Sequence, residues 1–289
     1  LMGQSLGKRR YDMAQAYCDA FQTTEGSKNG WGLQSVNCMV KHWPGGGTGE
    51  SGRDAHFGIG KYGVYPGGGF DLALIPFVEG AFSLRGKTKA ASAVMPYYTI
   101  SYGKDPSGEN VANGFSKYII DDLLRTKYKY DGVVCTDWGI VKDYKKVYKH
   151  AGKPWGMENA TTAERRLKCF EAGADQLGGV SDVAPNVEAY NLWKTKYGED
   201  SARERFEMSA RRLLTNIFNV GLFENPYVFP YNAEKVVGNK DFVAAGYNAQ
   251  LNAVVMLKNH GNILPVIGKL KVYQPLRKMG PALTHWQTP

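Results

Sequence analysis

The chain of 289 residues is 43% hydrophobic and 22% charged, with a formal net charge of +9. This composition is typical of a globular protein, and the length allows one large core or two domains. No run of residues has the length and apolarity of a membrane span, and the opening residues lack the apolar segment of a secretory signal. We therefore expect no contact with a membrane.

The excess of positive charge raises the question of nucleic acid binding. The basic residues form no recognised binding motif, and the group Lys142, Lys145, Lys146 and Lys149 fits the solvated face of one helix. We therefore expect no nucleic acid partner.

The four cysteines have no spacing typical of a metal site. Cys18, Cys38, Cys135 and Cys169 form no CxxC or CxxH pattern, and two of them, Cys38 and Cys135, fall within predicted buried strands. We predict reduced core thiols, no metal site and no organic cofactor.

Strands and helices alternate through the first part of the chain. In order, the predicted elements are a helix over 11–21, a strand over 35–40, a helix over 72–77, a strand over 91–98, a helix over 115–124, a strand over 132–135, a helix over 161–172 and a short strand within 172–179. Regular alternation of this kind predicts a parallel sheet. Four such units are half of a (β/α)₈ barrel, so the predicted fold class is α/β, with a partial TIM-type barrel.

The last third of the chain has a different composition. Its longest predicted helix covers 201–220 and is ended by Gly221, with Pro226 beyond it. Further elements are predicted as a helix over 241–252, a strand over 254–257 and a strand start at 271–273. We predict that residues 1–222 belong to the barrel, 223–236 form a linker and 237–289 begin a second domain.

The stretch YDGVVCTDWGI at 130–140 places Asp137 and Trp138 directly after a predicted buried strand. In barrels of alternating strands and helices, the carboxyl end of a strand is where catalytic side chains lie. An indole offers a stacking face for a sugar, and a carboxylate offers a nucleophile or a hydrogen-bond acceptor. The alternative is that Asp137 caps a following helix.

A second informative stretch, KHWPGGGTGESGRDAHF, follows the strand over 35–40. Lys41 and His42 come directly after that strand, and the run Gly45 to Gly47 lets backbone approach a ligand closely. A P-loop is excluded because the GK[ST] ending is absent. The alternative for Lys41 and His42 is a surface turn.

Five motifs together resemble glycoside hydrolase family 3, the family of exo-acting β-glucosidases and their relatives. They are KHWPGGG at 41–47, MPYY at 95–98, VVCTDWG at 133–139, RRLLTNIFNVGLFENPY at 211–227 and VVMLKNHGNILP at 254–265. The resemblance implies a retaining hydrolase with a barrel followed by an α/β sandwich domain. It also implies that this chain covers the C-terminal part of the barrel and the start of the sandwich.

The resemblance implies a role for each matching residue. Asp137 matches the catalytic nucleophile, and Trp138 matches an aromatic residue of the sugar subsite. Lys41 and His42 match a pair that binds hydroxyls of the terminal sugar, and Tyr98 matches a tyrosine near the nucleophile. Tyr98 has the alternative of simple packing, and Trp31, Trp43 and Trp155 are core or rim aromatics.

The sequence leaves two alternatives for the residue that donates a proton to the leaving oxygen. In many members of the family it is a glutamate of the second domain, whereas N-acetylglucosaminidase members use an Asp-x-His pair near the offset of RDAH at 53–56. His56 would then donate the proton and Asp54 would orient it, which suits an imidazole titrating near neutrality. The alternative is that Asp54 contacts a substrate hydroxyl.

The resemblance implies removal of a terminal β-D-glucosyl residue from β-linked glucosides or oligosaccharides through a covalent glycosyl-aspartate intermediate. The alternatives are a β-N-acetylhexosaminidase, a β-xylosidase, or a carbohydrate-binding fragment without activity. A homo-oligomer is possible, and relatives of this kind are commonly periplasmic or secreted. Because half a barrel has an open edge, we expect residues 1–289 in isolation not to fold stably.

Overall fold

The computed structural model describes residues 2–145, 151–269 and 271. It divides the chain into two compact units, Leu1–Tyr227 and Val228–Pro289. The division lies within the predicted linker over 223–236, although part of that segment is helical, as described below.

The first unit is built on a parallel sheet. Its strands β1 (Met39–Trp43), β3 (Ala93–Pro96) and β5 (Val133–Val134) pair in the order β1-β3-β5, all parallel. A parallel bridge from Cys135 to Gln176 continues the sheet at the position of the fourth predicted strand. The predicted parallel order of these four segments is therefore present.

Within its described residues, the remaining elements of this unit are a second strand pair, five α-helices and several shorter helical segments. Two short strands, β2 (Tyr62–Gly63) and β4 (Ile100–Ser101), form a separate parallel pair. The helices are α1 (Met2–Gln22), α2 (Gly69–Ile75), α3 (Thr162–Ala172), α4 (Ala184–Tyr197) and α5 (Glu199–Asn219). Two segments have π-type hydrogen bonding, Pro76–Ala81 and Tyr118–Lys127, and short 3₁₀ turns cover Glu50–Gly52, Gly58–Gly60 and Pro66–Gly68.

Local sequence explains why α3 begins and ends where it does. The Thr161 hydroxyl accepts a hydrogen bond from the Glu164 backbone N–H, and the Glu164 carboxylate accepts one from the Thr161 backbone N–H. This reciprocal capping box satisfies two donors that the first turn would leave unpaired. Gly173 ends the helix with φ of 104°, in the left-handed region that glycine adopts readily.

The first strand differs from its prediction. The sequence placed it at 35–40, whereas β1 begins at Met39 and extends to Trp43, so Lys41 and His42 lie within the strand. The preceding residues are held by the end of α1 instead, because the Val36 backbone N–H donates to the Phe21 carbonyl. Helix α4 was not predicted, and the segment predicted as a helix over 115–124 is the π-helical segment Tyr118–Lys127.

Two interpretations that involved helices after β5 are wrong for the described residues. Asp137 does not cap a helix, since a turn follows it and residues 142–145 are not helical. Lys142 and Lys145 therefore do not lie on a helix face, and Lys146 and Lys149 lie outside the described residues.

The core of the first unit is centred on a fully buried tryptophan. Trp43 packs edge-on against Phe77, with ring centroids 5.3 Å apart, and its indole N–H donates to the Ile119 carbonyl at 2.9 Å. Trp155 is also buried, and its N–H donates to the Ala55 carbonyl at 3.0 Å. Both are core aromatics, as buried indoles with a satisfied N–H usually are, and Trp31 is half-buried.

The amino-terminal edge of the sheet carries a buried carboxylate. Asp175 precedes the bridging residue Gln176, and its side chain has no exposed surface. One carboxylate oxygen accepts from Arg125 at 2.6 Å and from the Val134 backbone N–H at 3.0 Å. The other accepts from Arg212 and from the Ser209 hydroxyl, both at 3.0 Å, and Arg205 lies 3.7 Å away. This group, named here the Asp175 network, joins the sheet to α5.

The cysteines are buried free thiols, which confirms the prediction of reduced core cysteines. Cys18 and Cys38 lie in one apolar cluster with Ala81, Leu84 and Ala91. Burial raises the pKa of Cys135 to about 12, so this thiol stays protonated and unreactive near neutral pH.

The second unit contains α6 (Pro230–Val236), α7 (Lys240–Ala253) and a 3₁₀ turn, His260–Asn262. Asn239 caps α7 by accepting from the backbone N–H groups of Asp241 and Phe242. The strand predicted over 254–257 is wrong: these residues are exposed and form no strand among the described residues. Residue 271 is not in a strand, and 272–273 lie outside the described residues.

No helix within the described part of the chain combines the length and apolarity that a membrane crossing requires.

Candidate active site

The carboxyl edge of the sheet presents a buried aspartate whose two oxygens differ. Asp137 follows β5 and is 6% exposed. Its Oδ1 accepts from the Trp138 backbone N–H at 2.7 Å. Its Oδ2 is buried and has no hydrogen-bond partner among the described residues. A buried carboxylate oxygen without a donor is costly to leave unpaired, and such exceptions in native structures call for a functional explanation.

A histidine from the first strand faces this oxygen. His42 Nε2 lies 3.5 Å from Asp137 Oδ2, at the outer limit of a hydrogen bond. Burial lowers the pKa of His42, and the charges of Lys41 and His56 act in the same direction, whereas Asp137 opposes them. His42 is therefore mainly a neutral imidazole at neutral pH, able to donate or accept one hydrogen bond. The His42 ring packs against the Tyr97 ring, with centroids 4.6 Å apart.

Tyr98 lies beside the same carboxylate. It is 2% exposed, and its hydroxyl donates to the Trp138 carbonyl at 2.7 Å. Burial and then the Asp137 charge raise the pKa of Tyr98 far above its ordinary value. Tyr98 therefore remains a neutral phenol, which fixes the turn that carries Asp137 and Trp138.

Asp54 and His56 form a pair on the loop after β1. Asp54 Oδ1 accepts from the His56 backbone N–H at 2.9 Å and lies 2.7 Å from His56 Nδ1. Burial acts to raise the pKa of Asp54, but the two hydrogen bonds and the charge of His56 together lower it. The His56 ring stands edge-on to Tyr98 with centroids 4.9 Å apart, which places the pair beside the Asp137 site.

A pocket of about 340 Å³ opens beside these groups, which is the size of a small ligand site. It is lined by His56, Tyr98, Trp138, Gly139, Lys142, Lys153 and Gly179. Trp138 is 55% exposed, so its ring is available for stacking.

The Trp138 ring rests on a backbone platform of two glycines. A Cβ atom built at Gly178 would lie 2.6 Å from the indole, and one at Gly179 would lie 2.8 Å from it. Gly178 donates its backbone N–H to the Thr136 hydroxyl at 3.0 Å, which fixes the platform to the strand end. The two glycines thus set the height at which the indole lies.

Lys41 is placed differently from the other predicted site residues. It is exposed and lines a separate cavity of about 580 Å³ together with Gly45, Gly46 and Gly47. Its charge still reaches His42, whose pKa it lowers. The structure thus brings together Asp137, His42, Tyr98, Trp138 and the pair Asp54 and His56, and it leaves Lys41 at the side of this group.

The glycine run after β1 leaves space for the His42 ring. A Cβ atom at Gly46 would lie 3.2 Å from His42 Nδ1, so the absent side chain leaves room for the imidazole. This agrees with the expectation that backbone comes close to functional groups here.

Lys153 is a site residue that the sequence analysis missed. It is 4% exposed and lines the pocket beside Trp138. In the sequence it is a single lysine in the loop segment AGKPWG at 151–156. Such lysines are common in loops, and the sequence alone does not distinguish a buried one from a solvated one. Its importance depends on burial, which only the fold determines.

Within the described residues, no group of three or more His, Cys, Asp or Glu side chains is arranged to hold a metal ion.

The fold and the site define a class: an α/β protein with strand ends that carry polar side chains, as in barrel-type catalytic domains. The sequence profile of the glycosyl hydrolase family 3 N-terminal domain matches residues 8–215. The chain therefore belongs to glycosyl hydrolase family 3, which confirms the resemblance read from its motifs.

Two curated relatives support this assignment. The chain is 38% identical over 236 residues to a probable β-glucosidase C of Aspergillus flavus, with 81% of this chain and 35% of that protein covered. It is 35% identical over 267 residues to a periplasmic β-glucosidase/β-xylosidase of Dickeya chrysanthemi, with 88% and 38% covered. The chain thus spans about a third of the length of these relatives.

A solved structure of a β-glucosidase from Erythrobacter marinus has a similar fold. The TM-score is 0.63 at 20% sequence identity, and the match covers 89% of this chain and 30% of that chain. At this identity the similarity concerns the fold alone, which is the barrel-like α/β fold of the family.

Proposed function

We propose that the protein is a retaining exo-glycosidase that removes a terminal non-reducing β-D-glucosyl residue, with Asp137 as the nucleophile. The observation that supports this most is the buried Asp137 Oδ2, which has no donor among the described residues and faces His42 beside a pocket with an exposed indole. An oxygen that is already desolvated and unpaired needs little reorganisation to attack a sugar carbon.

The first chemical step forms a glycosyl-enzyme. Asp137 Oδ2 attacks the anomeric carbon, the bond from that carbon to the leaving oxygen breaks, and His56 gives its ring proton to the leaving oxygen. Asp54, hydrogen-bonded to Nδ1, holds the His56 ring at the wall of the pocket in this proposal.

The second step releases the sugar. Neutral His56 takes a proton from water, the water oxygen attacks the anomeric carbon, and the bond to Asp137 breaks, which regenerates both groups. Two displacements on the same carbon retain its configuration.

The other site residues bind the sugar in this proposal. Trp138 stacks on its apolar face, and neutral His42 hydrogen-bonds a hydroxyl. Tyr98 holds the turn of Asp137 in place and closes one wall of the pocket. Lys41 contacts a hydroxyl of the substrate from the neighbouring cavity.

The name of the Dickeya relative includes β-xylosidase activity and a periplasmic location. A xylosyl residue lacks the hydroxymethyl group of a glucosyl residue, and a periplasmic or secreted location suits hydrolysis of external oligosaccharides. We therefore keep β-xylosidase as the second candidate activity and export as part of the proposal.

The test is covalent trapping in the full-length protein. A 2-deoxy-2-fluoro-β-glucosyl fluoride should label the protein once, and peptide mass mapping should place the sugar on Asp137. Release of p-nitrophenol from aryl β-glucoside and β-xyloside, compared at equal protein concentration, then ranks the two sugars.

Asp137→Ala and Asp131→Ala form a matched pair for this test, because Asp131 is exposed at the opposite edge of the same strand. The first should abolish labelling, and the second should leave labelling and turnover unchanged. Labelling at another carboxylate, or equal turnover by Asp137→Ala and the parent, would reject Asp137 as the nucleophile.

A further inference from the structure

His42 is held only weakly by the carboxylate that it faces. The contact of 3.5 Å from His42 Nε2 to Asp137 Oδ2 is at the outer limit of a hydrogen bond, and Oδ2 has no hydrogen-bond partner among the described residues. The His42 side chain is also 25% exposed, so burial alone leaves the imidazole room to turn. The orientation of the imidazole therefore depends on the groups that pack against its ring.

Two neighbours border the His42 ring. The Tyr97 ring lies 4.6 Å away, centroid to centroid, and the two ring planes are tilted by 41°. Gly46 lies beside Nδ1, since a Cβ atom built there would be 3.2 Å from this nitrogen. Of these two neighbours, only Tyr97 contributes a side chain that can restrict the rotation of the imidazole.

The backbone of Tyr97 is itself fixed to the strand that carries His42. Tyr97 follows β3, and its backbone N–H donates to the Trp43 carbonyl at 2.9 Å. Trp43 comes directly after His42 and is fully buried. On the other side, Tyr98 is 2% exposed, and its ring centroid lies 5.9 Å from that of Tyr97. The Tyr97 ring is thus attached to residues that are held in the core.

Tyr97 acts on His42 through its ring rather than through a charge. Burial, and then the charges of Asp54 and Asp137, raise the pKa of Tyr97, so its hydroxyl is neutral near neutral pH. Contacts between aromatic rings are favourable and have specific geometries. Removal of the hydroxyl alone should therefore leave the contact with His42 intact.

Resting on the function proposed above, we infer that Tyr97 is a positioning residue that holds the His42 imidazole toward the free oxygen of Asp137. It acts through His42 rather than by touching the sugar. In the proposed function His42 hydrogen-bonds a hydroxyl of the terminal sugar, and a side chain that is already ordered does not have to be immobilised when the sugar binds. The Tyr97 ring therefore increases affinity for the sugar.

The test is a double-mutant cycle in the full-length protein, with kcat and KM measured on an aryl β-glucoside. Tyr97→Leu should lower kcat/KM about tenfold, mainly by raising KM, because the imidazole must then be ordered at binding. Tyr97→Phe keeps the ring and should stay within about twofold of the parent. In a His42→Ala background, Tyr97→Leu should change kcat/KM by less than about twofold, since the group that Tyr97 positions is gone.

Calorimetric titration with D-glucose makes the same comparison without bond cleavage. The Kd for D-glucose should rise about tenfold in Tyr97→Leu and stay close to that of the parent in Tyr97→Phe.

Tyr102→Leu is the matched control. The Tyr102 ring contacts the Tyr62 ring in the same unit, with centroids 5.3 Å apart, and neither residue belongs to the candidate site. Its replacement removes a similar contact between rings and should leave kcat/KM within about twofold of the parent.

Equal losses in Tyr97→Phe and Tyr97→Leu, or an undiminished loss from Tyr97→Leu in the His42→Ala background, overturn the inference. If neither Tyr97→Leu nor Tyr97→Met folds, as judged by near-ultraviolet circular dichroism, Tyr97 is required for the fold and the inference is likewise overturned. Labelling of the parent distinguishes the two proposals: without a label on Asp137 the proposed function fails, whereas a label on Asp137 with no coupling between Tyr97 and His42 rejects only the role of Tyr97.

Discussion

Two buried aspartates lie at opposite edges of one parallel sheet, and they differ in how their oxygens are used. Asp175, at the amino edge, has donors on both oxygens from arginines, a hydroxyl and a backbone N–H. Asp137, at the carboxyl edge, has a donor on one oxygen only. A fully paired carboxylate contributes to stability, whereas an unpaired one keeps its lone pairs for a ligand. The comparison thus distinguishes a buried aspartate that stabilises the fold from one whose free oxygen is available to a ligand.

The largest expected effect is on activity at the carboxyl edge. Asp137→Asn should lower kcat by at least about a thousandfold, because an amide cannot form the covalent intermediate of the proposed mechanism. Its free energy of unfolding should change by less than about 1 kcal/mol, since Oδ2 gives up no hydrogen bond. Steady-state hydrolysis of an aryl β-glucoside and urea denaturation measure the two quantities. If Asp137→Asn were active and strongly destabilised, Asp137 would be a structural residue like Asp175, and the difference between the two edges of the sheet would be rejected.

The next largest effect is on stability at the amino edge. Asp175→Asn should lower the free energy of unfolding by about 3 kcal/mol or more, because it leaves several buried guanidinium groups without their counter-charge. The midpoint and slope of urea denaturation of the full-length protein check this.

Asp131→Asn is the control for the amino edge. Asp131 also binds Arg212, but its side chain is 86% exposed. Exposed ion pairs contribute little, so the loss should be below about 1 kcal/mol. Equal losses in Asp131→Asn and Asp175→Asn would show that burial does not decide the strength of the Asp175 network.

The smallest effect concerns the exposed pair Asp54 and His56 beside the candidate active site. The pKa of Asp54 is lower in the folded protein, so its ionisation stabilises the fold above the ordinary aspartate pKa of about 4, and this contribution is lost as the pH falls through the folded value. Because the side chain is 56% exposed, Asp54→Asn should reduce stability at pH 6 by less than about 0.5 kcal/mol.

The pH dependence is checked by comparing thermal unfolding of the parent and Asp54→Asn at pH 6 and at pH 3. The small difference present at pH 6 should be smaller at pH 3, because the contribution declines once the pH is below the ordinary aspartate pKa of about 4. A difference that grows toward low pH would reverse the sign assigned to Asp54.

The sequence was most informative where chemistry and strand ends coincide. The segment VVCTDWG predicted a buried strand followed by Asp137 and Trp138, and both lie at the carboxyl edge of the sheet. The capping box of Thr161 and Glu164 was also predictable, because its signal is local.

What the sequence missed depends on contacts between distant residues. The start of β1 moved to Met39 because α1 holds the preceding residues. In the Asp175 network, Asp175 binds Arg125, which lies 50 positions earlier in the chain. Lys153 becomes a site residue only through its burial against Tyr98. No local sequence pattern predicts the Asp175 network or the burial of Lys153.

The glycine platform under Trp138 constrains how the candidate active site can be redesigned. Since neither glycine has room for a methyl group beneath the indole, the aromatic wall cannot be pushed further into the cleft by enlarging its support. Replacing Trp138 by a smaller side chain is still feasible, and it would widen the cleft. Under the proposed function, room for a bulkier aglycone is therefore gained by shortening Trp138, and libraries that randomise positions 178 or 179 should return mainly inactive clones.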